Sequence, residues 1–325
     1  MQILILKPSS LGDIICALPV AQSIREQCPE AVISWVVKKR FAEIVQRCPT
    51  VNGDVIVFDH KKGLRGLPPL IQVIRATGKG SYDAVLDFQG LLRTGLMTWR
   101  ALAPLKVGSS FAREGSRFAY NTVVPAPAGG HNTHAIEKLL QFLPAIGLEP
   151  ELRTPIVIKG DSPDELDPRL IGTKPIVIVP NSRGVHKEWP YFPELTAGLV
   201  EKLPESVIVW DSHLEWDDPV VSDLSRFVNL TSRTSLLQMV ELLRRAKLVI
   251  ANDSGPLHIA AALGRPTLGL FGPTSPSRFG PYPLDLPRNN VLMATGNDMS
   301  NLACATVLDK ICEIVAAGDG LRNVA

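Results

Sequence analysis

Apolar and polar positions along the chain fall into alternating blocks, and the blocks predict its architecture. Short runs rich in Val, Ile and Leu recur at 2–7, 32–37, 54–58, 84–88, 105–108, 155–158, 175–180, 206–210, 247–251 and 266–271. Continuous apolar runs of this length suit strands covered on both faces, as in a parallel sheet, whereas half-exposed strands alternate. Amphipathic stretches between them predict helices at 13–27, 66–77, 90–103, 133–147, 191–203, 235–246, 256–264 and 302–316. Repeated strand–helix alternation gives the α/β class, with helices on both sides of each sheet. Pro19 lies inside the first helical pattern and predicts a kink or a delayed start. Gly318-Asp-Gly320 predicts the end of the last helix.

The segment from Gly160 to Pro175 is polar and proline-rich and separates two strand candidates. It reads as a linker at 161–175 between two doubly wound domains, 1–160 and 176–325, an organisation that a 325-residue chain accommodates. In such folds ligands bind outside the carboxyl ends of the strands, so the two domains are expected to face each other across a cleft.

The turns that follow the strands carry the candidate chemistry. The run 248–251 stops at Asn252-Asp253-Ser254-Gly255-Pro256, and a helical stretch follows. A helix start presents free N–H groups, so Asp253, Ser254, Gly255 and His258 sit where an anion would bind. Lys7-Pro-Ser-Ser-Leu-Gly-Asp13 follows the first strand in the same way. There Gly12 permits close approach of a ligand, Ser9, Ser10 or Asp13 can cap the helix, and Asp13 is also placed to accept a proton from an attacking hydroxyl. After 175–180 come Ser182, Arg183, Gly184 and Lys187, with Pro190 opening a helix; the loop suits a diphosphate. Glu215 can bind a ribose diol, and Thr234 or Ser235 is a capping residue at another strand end. No GxGxxG, GxSxG, HxxxH, CxxC or DxD pattern occurs, which argues against a dehydrogenase, a serine hydrolase and a metal site.

Charge adds one asymmetry. The net charge is only +2, but between Val55 and Ala135 ten Lys/Arg face four Asp/Glu. A basic amino-terminal half suits an anionic partner or membrane surface, or is simply a solvated face. The five cysteines show no metal or disulfide spacing and imply a reducing compartment; no apolar run is long enough to span a membrane, and the first residues do not form a signal peptide. A cytoplasmic protein is expected, peripheral to a membrane at most.

Five motifs together resemble the bacterial lipopolysaccharide heptosyltransferases, glycosyltransferase family 9. They are Lys7-Pro-Ser-Ser-Leu-Gly-Asp13-Ile, Tyr82-Asp-Ala-Val-Leu-Asp-Phe-Gln-Gly90-Leu, His186-Lys-Glu-Trp-Pro190, Asn252-Asp-Ser-Gly-Pro-Leu-His258 and Phe271-Gly-Pro-Thr-Ser-Pro276, in the family's order. The resemblance implies two Rossmann-like domains in the glycosyltransferase B fold. It also implies metal-independent transfer of heptose from ADP-heptose to the lipopolysaccharide inner core, with inversion and without a cofactor. Asp13 then resembles the general base and Lys187 the lysine on the leaving diphosphate. Ser182, Arg183, Glu215, Thr234, Asp253, Ser254, Gly255 and His258 fall in the donor site. Ser10, Gly12, Lys61, Lys62 and Arg65 fall where an anionic glycolipid acceptor binds. The expected partners are therefore a nucleotide-diphosphate sugar and that glycolipid at the inner membrane, not nucleic acid, and a monomer is expected. The loop beginning Pro180-Asn181-Ser182-Arg183 departs from the family's commoner His-Ala or Pro-Gly. Two other readings share the architecture: a nucleotide-sugar 2-epimerase, and a non-catalytic nucleotide- or sugar-binding protein.

Overall fold

Every apolar run except 155–158 becomes a parallel strand. The computed structural model describes residues 1–59, 67–153, 155–182 and 184–320. Contacts divide the chain into two compact units, Met1–Ile158 and Lys159–Ala325.

The first unit contains β1 (Gln2–Leu6), α1 (Leu11–Gln27), β2 (Val32–Lys38), α2 (Ala42–Gln46), β3 (Val55–Phe58), α3 (Leu67–Thr77), β4 (Ala84–Asp87), α4 (Leu92–Arg100), β5 (Leu105–Ser109), β6 (Thr122–Val124) and α5 (Ala135–Leu140). Its six strands lie in the order β3-β2-β1-β4-β5-β6. The second unit contains β7 (Ile176–Val179), α6 (Phe192–Lys202), β8 (Ile208–Trp210), β9 (Phe227–Asn229), α7 (Leu236–Arg245), β10 (Leu248–Asn252), α8 (Gly255–Ala262), β11 (Thr267–Phe271), α9 (Pro276–Phe279), β12 (Asn289–Met293) and α10 (Cys304–Gly320). Its order is β12-β11-β10-β7-β8-β9, and every pairing in both sheets is parallel. Each chain path runs outward from one central strand, returns, and runs out the other way. The reversals fall between β1 and β4 and between β7 and β10. The carboxyl ends of strands at such a reversal leave a crevice between diverging loops.

Burial explains why the apolar runs were so uniform. Ile3 to Leu6, Ile176 to Val179 and Leu248 to Ala251 have no more than 2 % of their surface exposed. In the second unit, Trp189, Phe192 and Trp210 pack with Ile178, Ile250 and the inner face of α10 in one core.

Four expectations are corrected. The run 155–158 is extended but unpaired; Ile156 and Ile158 are buried while Val157 is exposed, so it buries side chains without joining a ladder. Three strands went unpredicted: β6, β9 and β12 are short or polar, and each lies at a sheet edge, as does the predicted β3. Helix α1 starts at Leu11, ahead of Pro19, and runs through it. Helix α10 continues to Gly320, because a glycine in a helix costs only about 1 kcal/mol relative to alanine. The segment 161–175 carries only a 3-10 turn at Pro168–Leu170 and is tied to the second unit. Asp161 N–H donates to Leu237 O (3.2 Å), Arg245 donates to Asp164 (2.6 Å) and Arg233 donates to Leu166 O (3.2 Å).

Candidate active site

The reversal point of the first sheet holds Asp13. Ser10 is the residue that opens α1, and Asp13, three positions on, reaches back to it. Asp13 Oδ2 accepts from both the Ser10 N–H and the Ser10 hydroxyl, each at 2.8 Å. Asp13 thus serves the helix start with one oxygen. Its other oxygen, Oδ1, lies 3.8 Å from Lys7 Nζ. Lys7 follows β1 directly and is almost fully buried; its ammonium donates to Phe88 O (3.1 Å), and its own carbonyl accepts from the Trp35 indole (3.1 Å). A buried ammonium needs such partners, since an unpaired buried charge is costly. Lys7 and Asp13 line a recess of about 190 Å³ with Gln89, Gly90, Lys138, Phe111 and Cys16.

The floor of that recess is set by Asp87 at the end of β4. Its Oδ1 accepts from the N–H groups of Gln89 (3.0 Å) and Gly90 (2.9 Å), and its Oδ2 accepts from the Tyr120 hydroxyl (2.7 Å). Burial raises the Asp87 pKa, against the pull of these donors, and burial together with Asp87 raises that of the Tyr120 phenol. Gly90 adopts φ +66°, which a side chain would strain. Gln89 lines the recess, and its side-chain oxygen is buried with no hydrogen-bond partner among the described residues.

The second reversal point holds Lys187, in the turn Val185–Lys187. Its ammonium is 2.7 Å from Asp253 Oδ2, which also accepts from the Thr274 hydroxyl (2.9 Å). The Ser182 hydroxyl donates to Asp253 O (3.2 Å), and Ser182 N–H donates to Glu188 (2.8 Å). Asn252 fastens the two loops: its side-chain oxygen accepts from Trp189 N–H (3.1 Å) and its amide donates to Pro180 O (2.7 Å). Strands β7 and β10 are neighbours, which is why residues 66 positions apart meet here. Ser254 precedes α8 as its N-cap, yet its hydroxyl makes no capping bond; the oxygen is buried and has no hydrogen-bond partner among the described residues. Gly255 opens α8, and His258 follows one turn in, half-buried. Free helix N–H groups, a lysine and an unused hydroxyl are an anion-binding set.

Residues 70–311 match the family described as glycosyltransferase family 9 (heptosyltransferase).

The chain belongs to glycosyltransferase family 9.

Among its family 9 relatives, lipopolysaccharide heptosyltransferase 1 of Pseudomonas aeruginosa is 31% identical over 330 aligned positions, covering 96% of this chain and 87% of the relative. The lipopolysaccharide core heptosyltransferase OpsX of Haemophilus influenzae is 27% identical, covering 86% and 81%. Among solved structures, the Escherichia coli heptosyltransferase WaaC with ADP superposes with a TM-score of 0.77 at 25% identity, covering 97% of this chain and all of that one. The two parallel sheets are therefore those of a family 9 glycosyltransferase B fold.

Not every residue suggested by the family 9 motifs gathers at these two points. Thr234 does not cap α7; Ser235 does, accepting from Gln238 N–H (3.1 Å), and the Thr234 hydroxyl instead donates to Asp211 (2.6 Å). Glu215 is exposed and lines a separate recess of about 410 Å³ with Trp216, Asp167, Arg169, Thr231 and Arg233, not the Lys187–Asp253 site. Lys61, Lys62, Arg65 and Arg183 lie outside the described residues. Among the described residues no group of three or more His, Cys, Asp or Glu is arranged to hold a metal ion.

Sequence reasoning missed Lys7, Asp87, Asn252 and Thr274 as members of these sites, and Asp211 as the partner of Thr234. Asp87 and Thr274 lie inside motifs already singled out, and the Asp-x-Gln-Gly spacing at 87–90 was the available signal. Asp211 carried none beyond following an apolar run. Its Oδ2 is buried with no hydrogen-bond partner among the described residues, and burial pushes its carboxyl up to about 6.

Proposed function

We propose that this protein is an inverting heptosyltransferase that moves heptose from ADP-heptose to the core of lipopolysaccharide. Family membership supports the reaction class, and the names of its relatives supply the sugar and acceptor. The observation that carries the residue assignments is the placement of Asp13 and Lys187, each at the reversal point of its own parallel sheet.

In this reading the second unit binds the donor. Lys187, the α8 N–H groups and the Ser254 hydroxyl hold the diphosphate and stabilise the negative charge that grows on it as it leaves. The first unit binds the acceptor in the Lys7–Asp13 recess. The acceptor hydroxyl oxygen attacks the anomeric carbon, its proton passes to Asp13 Oδ1, and the bond from that carbon to the diphosphate oxygen breaks, releasing ADP. Lys7 holds the carboxylate in position. Lysine and helix N–H groups here do what a divalent cation does elsewhere, so transfer is expected to persist in EDTA. The acceptor is a lipid, and the protein is expected to work as a monomer at the cytoplasmic surface of the inner membrane.

The test is ADP release from ADP-heptose with heptose-free lipopolysaccharide dispersed in detergent. Heptosylated product and stoichiometric ADP are expected; ADP-sugar epimerised without acceptor would replace this reading with the epimerase, with which the chain shares only the fold. Binding of ADP with no turnover would leave a non-catalytic protein.

A further inference from the structure

Helix α4 and the 3-10 turn Ser116–Ala119 expose large apolar side chains that the two reversal-point sites do not use. Leu92 is 45% exposed, Trp99 61% and Phe118 55%. Soluble proteins do not usually gather such side chains on one surface without a partner for it. They are neighbours for a structural reason. Leu92, Gly95 and Trp99 share one face of α4, at helical spacings of three and four. Gly95 meets the turn directly: a Cβ there would come within 2.9 Å of Ser116 Cβ. The turn carrying Phe118 is thus seated between Leu92 and Trp99. Leu92 N–H donates to Glu114 just ahead of the turn (3.1 Å), and Lys106 donates to Trp99 O (2.9 Å), which fixes both ends.

The same stretch of chain is rich in cations. Between 92 and 118 the chain carries Arg93, Arg100, Lys106, Arg113 and Arg117 against one acid, Glu114. Arg100, Arg113 and Arg117 are exposed. An exposed indole and phenyl flanked by arginines match the chemistry of a bilayer interface with anionic headgroups: the rings enter the acyl boundary and the guanidinium groups meet phosphate. A protein partner would match the apolar part equally, but not the predominantly basic rim.

We infer that the α4 face, with Trp99 and Phe118 as its anchors, docks this protein on an anionic lipid surface. The inference takes its purpose from the proposed glycolipid acceptor but is tested without turnover.

The probe is vesicles of phosphatidylglycerol, with phosphatidylcholine vesicles as the contrast. Wild-type protein is expected to sediment with the former, more weakly as salt rises, and scarcely with the latter. Trp99→Ser with Phe118→Ser is expected to lower the partition coefficient at least roughly tenfold. Arg100→Gln with Arg117→Gln changes only exposed side chains, so it guards against misfolding; it is expected to lower partitioning at least roughly tenfold as well. Acyl-brominated lipid should quench indole emission in wild type and not in Trp99→Phe. ADP release with detergent-dispersed acceptor should be unchanged in all three variants, which separates this inference from the catalytic one. Equal sedimentation of wild type and both double variants would overturn it. So would failure of wild type to bind phosphatidylglycerol, or a wild-type dimer that the Trp99/Phe118 variant dissociates.

Discussion

Asp13 performs two tasks with two oxygens, and the tasks can be separated. Asp13→Asn keeps a carbonyl that can accept from Ser10 N–H, so α1 should start as before, but it removes the proton acceptor. Transfer is expected to fall by roughly a hundred- to ten-thousand-fold, with at most a small drop in melting temperature because Lys7 loses its ion-pair partner but keeps Phe88 O, measured by ADP release and calorimetry. Near-wild-type turnover would remove Asp13 from the role of base. Asp211 gives a prediction about pH. Its folded pKa of about 6 lies above the unfolded value of 3.8, so the folded state holds more protons in that interval. Its ionisation therefore opposes folding fully above about pH 6, and the penalty fades as pH falls toward 4. Relative to Asp211→Asn, which can still accept from Thr234, wild type should gain on the order of 3 kcal/mol between pH 7 and pH 4 in urea unfolding. A parallel pH dependence of the two proteins would show that Asp211 does not carry this charge.

The helix starts differ in what their caps are for. The Ser235 hydroxyl accepts from Gln238 N–H, and the Gln238 side chain accepts from Ser235 N–H (2.9 Å), a reciprocal cap. Ser235→Ala should cost about 1 kcal/mol of stability. The Ser254 hydroxyl caps nothing, so Ser254→Ala should cost almost no stability in the same unfolding assay yet raise the KM for ADP-heptose. The reverse ranking would make Ser254 a structural cap. What could be read at this scale from sequence followed burial. Strands β1, β4, β7 and β10 announce themselves because both faces are covered. Edge strands such as Thr122–Val124 and Asn289–Met293 carry polar residues and look like loops. The opposite error, 155–158, arose because apolar residues can bury side chains without pairing their backbone. The strand–turn–helix at Asp253–Gly255 was readable from local sequence. Its pairing with Lys187 was not, since that depends on β7 lying next to β10, an order set by the whole sheet. Sequence left Thr234 and Ser235 as alternative caps because neighbouring hydroxyls are chemically equivalent until the backbone chooses, and the structure chooses Ser235.

Across the molecule, the assignments divide labour between the units, and ligand-linked stability should follow that division. ADP at about a hundred times its Kd adds about 2.7 kcal/mol to the stability of whatever binds it. A thermal shift with ADP is expected in wild type and Asp13→Asn alike, and is expected to be strongly reduced in Lys187→Ala. Loss of the shift in Asp13→Asn would contradict a donor site confined to the second unit. Two α/β units were foreseeable from the alternation of runs and the polar gap at 160–175, because that pattern is dictated locally. Lys7 and Asp87 lay inside motifs already singled out, but their roles depend on burial and on partners distant in sequence, Phe88 and Trp35 for Lys7 and Tyr120 for Asp87.

Neither sheet borrows a strand from the other: β1 to β6 close one set of ladders and β7 to β12 the second, with the boundary at Ile158 and Lys159. Recombination at that boundary cuts through no ladder. Exchanging the amino-terminal half with that of a relative should therefore yield folded hybrids, whose choice of acceptor travels with one parent and whose choice of nucleotide sugar travels with the other.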